Sequence, residues 1–201
     1  MLETVHDDQA EQLRIAVIVA SVREGRFGVT VADWFTGHAA GRSDITVDLV
    51  DLARFPLPLV MPDFGGTPAP EAASTLAELS PRLAAADAFV VITPEYNHSF
   101  PAALKNAVDW HREEWHAKPV GLVSYGGISG GLRAVEQLRL VFAEVHAVTI
   151  RDTVSFHNAW NAFDDHETPH GCTAAAEAML DQLVWWALAL REAKTVRPYA
   201  G

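Results

Sequence analysis

The chain has 201 residues, 49% hydrophobic and 20% charged, which is enough for one globular domain with a sizeable core. Its formal charge is −11 at pH 7 with no basic stripe to offset the acid, which argues against nucleic acid as the main partner. The longest apolar runs are strand-length, well short of the ~18 residues that span a bilayer, so no membrane partner is expected. The single cysteine, Cys172, rules out an intramolecular disulfide and suits a cytoplasmic setting.

The N-terminus, "MLETVHDDQAEQLR", has no basic start followed by an apolar core and is expected to be a short solvated acidic tail over residues 1–13. One domain is expected over residues 14–196. It opens with "RIAVIVAS" (14–21), almost continuously apolar, as a strand covered on both faces should be. "ITVDLVDL" (45–52) alternates instead, with Ile45, Val47 and Leu49 set against Thr46, Asp48 and Val50, the pattern of a half-exposed edge strand. Three further strands are predicted at 88–93, 119–125 and 147–156. Helical spacing appears over 131–146, where Leu132, Val135, Leu138, Phe142 and Val145 share a face, and again over 173–193. Pro101 suits the first turn of another helix, where its missing N–H is not needed. Strand and helix alternate along the whole chain, which calls for a largely parallel sheet with helices on both faces. Two long loops, 53–70 and 157–172, are either functional or plain surface insertions.

In such a sheet ligands bind beyond the carboxyl ends of the strands, where the strand order reverses. Three loops are therefore informative. "SVREGRFG" (21–28) follows the first strand and offers a hydroxyl, two guanidinium groups and a helix start, a set suited to a phosphate monoester. Two surface arginines flanking a turn would read the same way. "TPEYNHSFP" (93–101) follows the third strand with more large polar groups than a turn needs, although Asn97 or Ser99 capping a helix would explain part of it. "SYGGISGG" (124–131) follows the fourth, and its glycines allow close backbone approach to a ligand. His166-x3-His170 with Cys172 has roughly ligand-like spacing, but nothing completes a site and no metal is expected. His111 and His116 are expected on an exposed helix face.

Taken together, Ser21-x-Arg23-x-x-Arg26, "PEYNHSFPAALKNAVDW", "EEWHAKPV" and "YGGISGGLRA" resemble the NADPH-dependent FMN reductase family, which includes quinone and azo-dye reductases. The resemblance implies a flavodoxin-like, doubly wound, five-stranded parallel sheet in the order 2-1-3-4-5. It implies that Ser21, Arg23, Arg26, Phe27 and Gly28 hold the FMN phosphate, and that Pro94, Glu95, Tyr96 and Asn97 border the ribityl chain and ring. Ser124, Tyr125, Gly126 and Gly127 would close on the ring's other edge. The same resemblance implies NADPH or NADH as co-substrate, a small-molecule electron acceptor, and a homodimer or homotetramer with the flavin near the subunit interface. Residues 57–64 and the helix carrying Trp110 and Trp115 are the candidate contacts. No catalytic side chain is expected, because hydride transfer is the cofactors' own chemistry. The other readings are an FMN-holding electron carrier served by a protein partner and a flavin-free regulatory protein on the same scaffold.

Overall fold

The computed structural model describes residues 12–163 and 172–201. The acidic tail and the His166–His170 pair lie outside the described residues. Five strands, β1 (Leu13–Val19), β2 (Ile45–Asp51), β3 (Ala88–Pro94), β4 (Pro119–Tyr125) and β5 (Val148–Phe156), pair in parallel in the order β2-β1-β3-β4-β5. The helices are α1 (Gly28–Ala39), α2 (Pro70–Ala84), α3 (Ala102–Trp110), α4 (Leu132–Glu144), the single-turn α5 (Ala159–Ala162) and α6 (Cys172–Val196). This is the flavodoxin-like sheet that the sequence calls for.

The two faces of the sheet are covered by different helices. On one, Val31 and Phe35 of α1 and Met179 and Leu183 of α6 pack on Val17, Val90 and Val123. On the other, Leu79 of α2, Leu104 of α3 and Leu138 and Phe142 of α4 pack on Ile18, Phe89 and Val91. Every residue of β3 and of β4 is buried, as expected for central strands covered on both sides. Each fully buried side chain of this size contributes roughly 1.5–3 kcal/mol, so the two central strands anchor the fold.

The edge strand departs from simple alternation. Val50 is fully buried while Leu49 is exposed, and Asp48 is only 14% exposed. The reason is that both faces of β2 are partly covered. Val50 points into the cluster under α2, and Asp48, on the same face, is paired with Arg82 of α2 and Arg14 of β1. Two aromatic-region expectations are also corrected. His111 is buried at the end of α3, where its ring bonds the Ala107 carbonyl at 2.8 Å and the Ser80 hydroxyl at 3.0 Å. Trp115 lies in the core, packed on Phe89 and Phe142, and is not a surface contact. Trp185 faces outward from α6, and Trp186 does so in part.

The chain steps outward from β1 to β2, then returns past β1 to β3. Between β1 and β3 the order reverses, so the loops leaving their carboxyl ends splay apart and open a crevice.

Candidate functional site

The first wall is the loop between β1 and α1. Ser21 is buried at its base, and Gly25 takes a left-handed backbone (φ +60°) before α1 begins. The guanidinium of Arg26 turns under the loop. It forms a two-pronged pair with Asp51 at the end of β2 and donates to the Ser21 carbonyl at 2.9 Å. That hydrogen-bonded pairing raises the Arg26 pKa and holds Asp51 below the usual carboxylate range. Arg23 points the other way, its guanidinium 5.4 Å from the centre of the Tyr96 ring. Among the described residues, the backbone amides of 22–27 find no acceptor and Arg23 has no carboxylate partner.

Gly28 has a packing role that its sequence position did not suggest. A Cβ there would sit 2.6 Å from the Tyr125 hydroxyl oxygen and 3.4 Å from a methyl of Val19. The glycine makes room for the phenol of Tyr125. Burial, with Tyr96 adding to it, pushes that phenol well above its ordinary pKa, against the pull of the Ser21 hydroxyl and the Gly28 amide. Ser21 also lies 2.7 Å from the Tyr96 hydroxyl, so one serine links the first and second walls.

The second wall leaves β3. Pro94 is buried, and the Glu95 amide extends the sheet by donating to the Tyr125 carbonyl at 3.2 Å. Tyr96 and Ser99 exchange backbone hydrogen bonds of 2.8 and 3.1 Å around Asn97 and His98, both with positive φ. This is a two-residue turn of the kind that tight antiparallel connections favour, and it explains an asparagine at its first central position. The Glu95 carboxylate reaches across to the third wall. It accepts from the Ser129 hydroxyl at 2.7 Å, the Arg133 guanidinium at 2.8 Å and the Arg133 amide at 3.2 Å. Burial works to raise its pKa, but these bonds outweigh it and keep the carboxylate ionised below its usual range.

The third wall is the glycine-rich loop after β4. Ser124 is fully buried and donates to the Gly130 carbonyl at 2.8 Å, which folds the loop back on its strand. Gly131, with φ +87°, permits this, because a Cβ there would lie 2.7 Å from that of Ser124. The Gly126 amide is given to the Phe156 carbonyl. Helix α5 is tied to the same loop by the Asn158 and Ala159 amides, which donate to Gly127 and Gly126 at 3.0 and 3.1 Å.

Between the three walls lies a cleft of about 450 Å³. It brings together Ser21, Arg23, Arg26, Phe27, Pro94, Glu95, Tyr96, Tyr125, Gly126 and Gly127 of the sequence-expected set. Gly28, Asn97 and Ser124 stand behind it. Glu24, Gly25, Ala159 and Trp160 also line it and were not foreseen. Trp160 had a faint signal, an aromatic in a long loop after the last strand, but no periodicity distinguished it. Among the described residues no group of three or more His, Cys, Asp or Glu is placed to hold a metal, and no helix is long and apolar enough to cross a membrane.

The chemistry of this donor set fits a phosphate monoester carrying a flat ring. Free amides, a hydroxyl and an unpaired arginine meet at the head of α1, and aromatic and glycine surfaces lie beyond them. The family model for NADPH-dependent FMN reductases matches residues 13–161. The chain belongs to that family. Over 122 residues it is 38% identical to an NAD(P)H-dependent FMN reductase of Schizosaccharomyces pombe, a match covering 59% of this chain and 60% of that protein's length. A quinone reductase of Escherichia coli is 31% identical over 147 residues, covering 70% of this chain and 75% of that one. In three dimensions the chain superimposes on the FerB flavoenzyme NAD(P)H:(acceptor) oxidoreductase of Paracoccus denitrificans with a TM-score of 0.68, covering 88% of this chain and 98% of that one at 24% identity. Neither of the two sequence relatives is named as an electron carrier. Family membership makes FMN and NAD(P)H the cofactor and co-substrate that the cleft has to suit.

Proposed function

We propose that the protein is an FMN-dependent oxidoreductase that takes hydride from NAD(P)H and passes it to a small acceptor such as a quinone, an azo compound or free flavin. The observation that carries this is the cluster of unengaged anion donors, Arg23 and the amides of 22–27, at the head of α1 beside an aromatic-walled cleft. When bound, FMN supplies the hydride-accepting and hydride-donating chemistry. Ser21, Arg23 and the loop amides hold its phosphate. Arg26 acts one step behind them, keeping the loop in place through Asp51. Pro94, Glu95, Tyr96, Gly126 and Gly127 border the ring. The Glu95 bonds to Ser129 and Arg133 lock the second wall to the third, so the ring site keeps its width without the ligand. Of the amides expected to face the ring edge, that of Gly127 is the one still available for developing negative charge, since Gly126 donates to Phe156. Orientation and exclusion of water are the protein's share, and no side chain acts as nucleophile.

The acceptor class is supported by the quinone reductase relative. The acidic tail followed by one domain over 14–196, the cytoplasmic location and a homodimer in which a second subunit helps close the cleft belong to the same reading. Its test is the visible spectrum of the purified protein, before and after FMN and then NADPH without oxygen. Flavin absorption that bleaches with NADPH is the expected result. Bound flavin that NADPH leaves oxidised would turn the reading to an electron carrier, and no binding even with excess FMN would end it.

A further inference from the structure

We propose that Trp160 forms the acceptor-facing wall of the cleft and selects flat aromatic acceptors of the quinone kind. This rests on reading the cleft as a flavin site. The backbone of Trp160 is fixed from two sides. Asn158 turns the chain through a left-handed conformation (φ 46°), and the Asn158 and Ala159 amides pin α5 to the carbonyls of Gly127 and Gly126. The indole is thereby brought to the glycine-rich loop, its outer edge 3.5 Å from where a Gly127 Cβ would be. A Cβ there would be in ordinary van der Waals contact with the indole.

Despite this fixed placement the side chain is left 57% exposed. Trp34 and Trp115 each have aromatic neighbours, whereas among the described residues Trp160 has none. Ile128, the residue after Gly127 in the glycine-rich loop, is 84% exposed. A large apolar ring held in water at the rim of a cleft is a surface waiting for a partner. The partner's shape follows from the wall. An electron-rich indole favours offset or edge-on contact with another ring, most of all an electron-poor one such as a quinone.

Trp160 follows β5, three places along the sheet from β1, whose loop carries the anion donors. The two segments meet where the Phe27 and Phe163 rings pack 5.4 Å apart, while the indole of Trp160 lines the cleft and is left exposed.

The test uses holoprotein carrying Trp160, Trp160→Ala or Trp160→Phe. Anthraquinone-2-sulfonate is titrated calorimetrically into each oxidised protein without nucleotide, and FMN affinity is measured separately by quenching of flavin fluorescence. Trp160→Ala is expected to weaken quinone binding by about tenfold, as loss of an aromatic contact should, with Trp160→Phe within about threefold of the parent. FMN affinity is expected to change much less in both. If FMN and quinone affinities fall together, Trp160 is a wall for the cofactor and the proposal is wrong. Quinone binding unaffected in Trp160→Ala, with FMN still bound, would also refute it. If the unaltered protein binds no FMN, the flavin reading fails and this proposal falls with it.

Discussion

Arg23 and Arg26 stand three residues apart in one loop, yet the fold gives them different work. Arg26 is 17% exposed and its guanidinium is consumed by Asp51, itself 18% exposed. Arg23 is exposed, with its guanidinium 5.4 Å from the centre of the Tyr96 ring. Substituting Arg23 by Ala should weaken FMN binding roughly 10- to 100-fold, the usual worth of a charge-assisted hydrogen bond to phosphate, while the apoprotein melts at the parent temperature. Arg26→Ala should instead lower the unfolding free energy of the apoprotein by about 1–3 kcal/mol, because it strands a largely buried carboxylate. Thermal unfolding and FMN titration of the two apoproteins separate these effects. A stable Arg26→Ala protein that binds no FMN would mean that the arginine leaves Asp51 to meet the phosphate directly. The sequence showed both arginines and gave no way to tell them apart, since the partner of Arg26 lies 25 residues away at the end of another strand. Local motifs were legible in the same loops for the opposite reason. The breakers of "TPEYNHSFP" and the glycines of "SYGGISGG" mark short-range turns whose residues are neighbours in the chain. Gly28 and Ser124 also serve Tyr125 and Gly130, contacts that spacing does not reveal.

At the scale of elements, strands were read well wherever both faces are buried, because continuous apolar runs have one explanation in an alternating α/β chain. The edge strand was read less well. Its alternation is disturbed by Arg82, which comes from α2 and makes Asp48 an inside residue. Helix α2 shows what such non-local polar contacts do. At its end the Leu83 carbonyl accepts from the Ala86 amide at 3.3 Å, and Lys118, just before β4, donates to both Leu83 and Ala84 at 2.9 and 2.8 Å. The amine is buried for this purpose, with the residue 7% exposed. Burial first, and the nearby Lys194 second, lower its pKa from 10.5 to about 8. The unfolded chain therefore holds more protons than the native one between about pH 8 and 10.5, and stability rises with pH across that window. Below pH 8 the full cost of the buried charge is present. At about 1.4 kcal/mol per pH unit the gain from Lys118 is on the order of 3 kcal/mol. Denaturant unfolding at pH 7.5 and pH 10 should show the parent gaining roughly this much relative to Lys118→Met. Parallel behaviour of the two proteins would show that the amine reaches water.

For the molecule as a whole, the least balanced surface is the segment after β2. Leu59, Val60 and Phe64 are 80%, 85% and 105% exposed, a density of bare apolar side chains that an isolated soluble chain rarely carries. The segment is nevertheless held in shape. Asn106 and Trp110 of α3 donate to the carbonyls of Leu57 and Pro58 at 2.9 Å each. It also adjoins the cleft, because Leu57 and Leu59 share an apolar hollow with Val22, which precedes Arg23 in the loop after β1. A second copy of the chain seated here would bury the patch and stand beside the proposed flavin site at once. Each copy brings a charge of −11, so the contact must overcome repulsion with apolar burial. Two consequences follow from that balance. If the chain pairs through this patch, added salt should tighten the pair rather than loosen it, since screening removes repulsion and leaves the apolar term. Phe64→Asp should shift the protein toward monomer, because it puts a further charge into a surface that a stable interface of about 800 Å² per partner would dehydrate. Sedimentation velocity at low and high salt, with and without Phe64→Asp, tests both. If the partner closes the cleft, the monomeric variant also releases FMN more readily. A Phe64→Asp protein that remains a dimer with unchanged salt dependence would move the interface elsewhere, and the exposed Trp185 on α6 would be the next surface to alter.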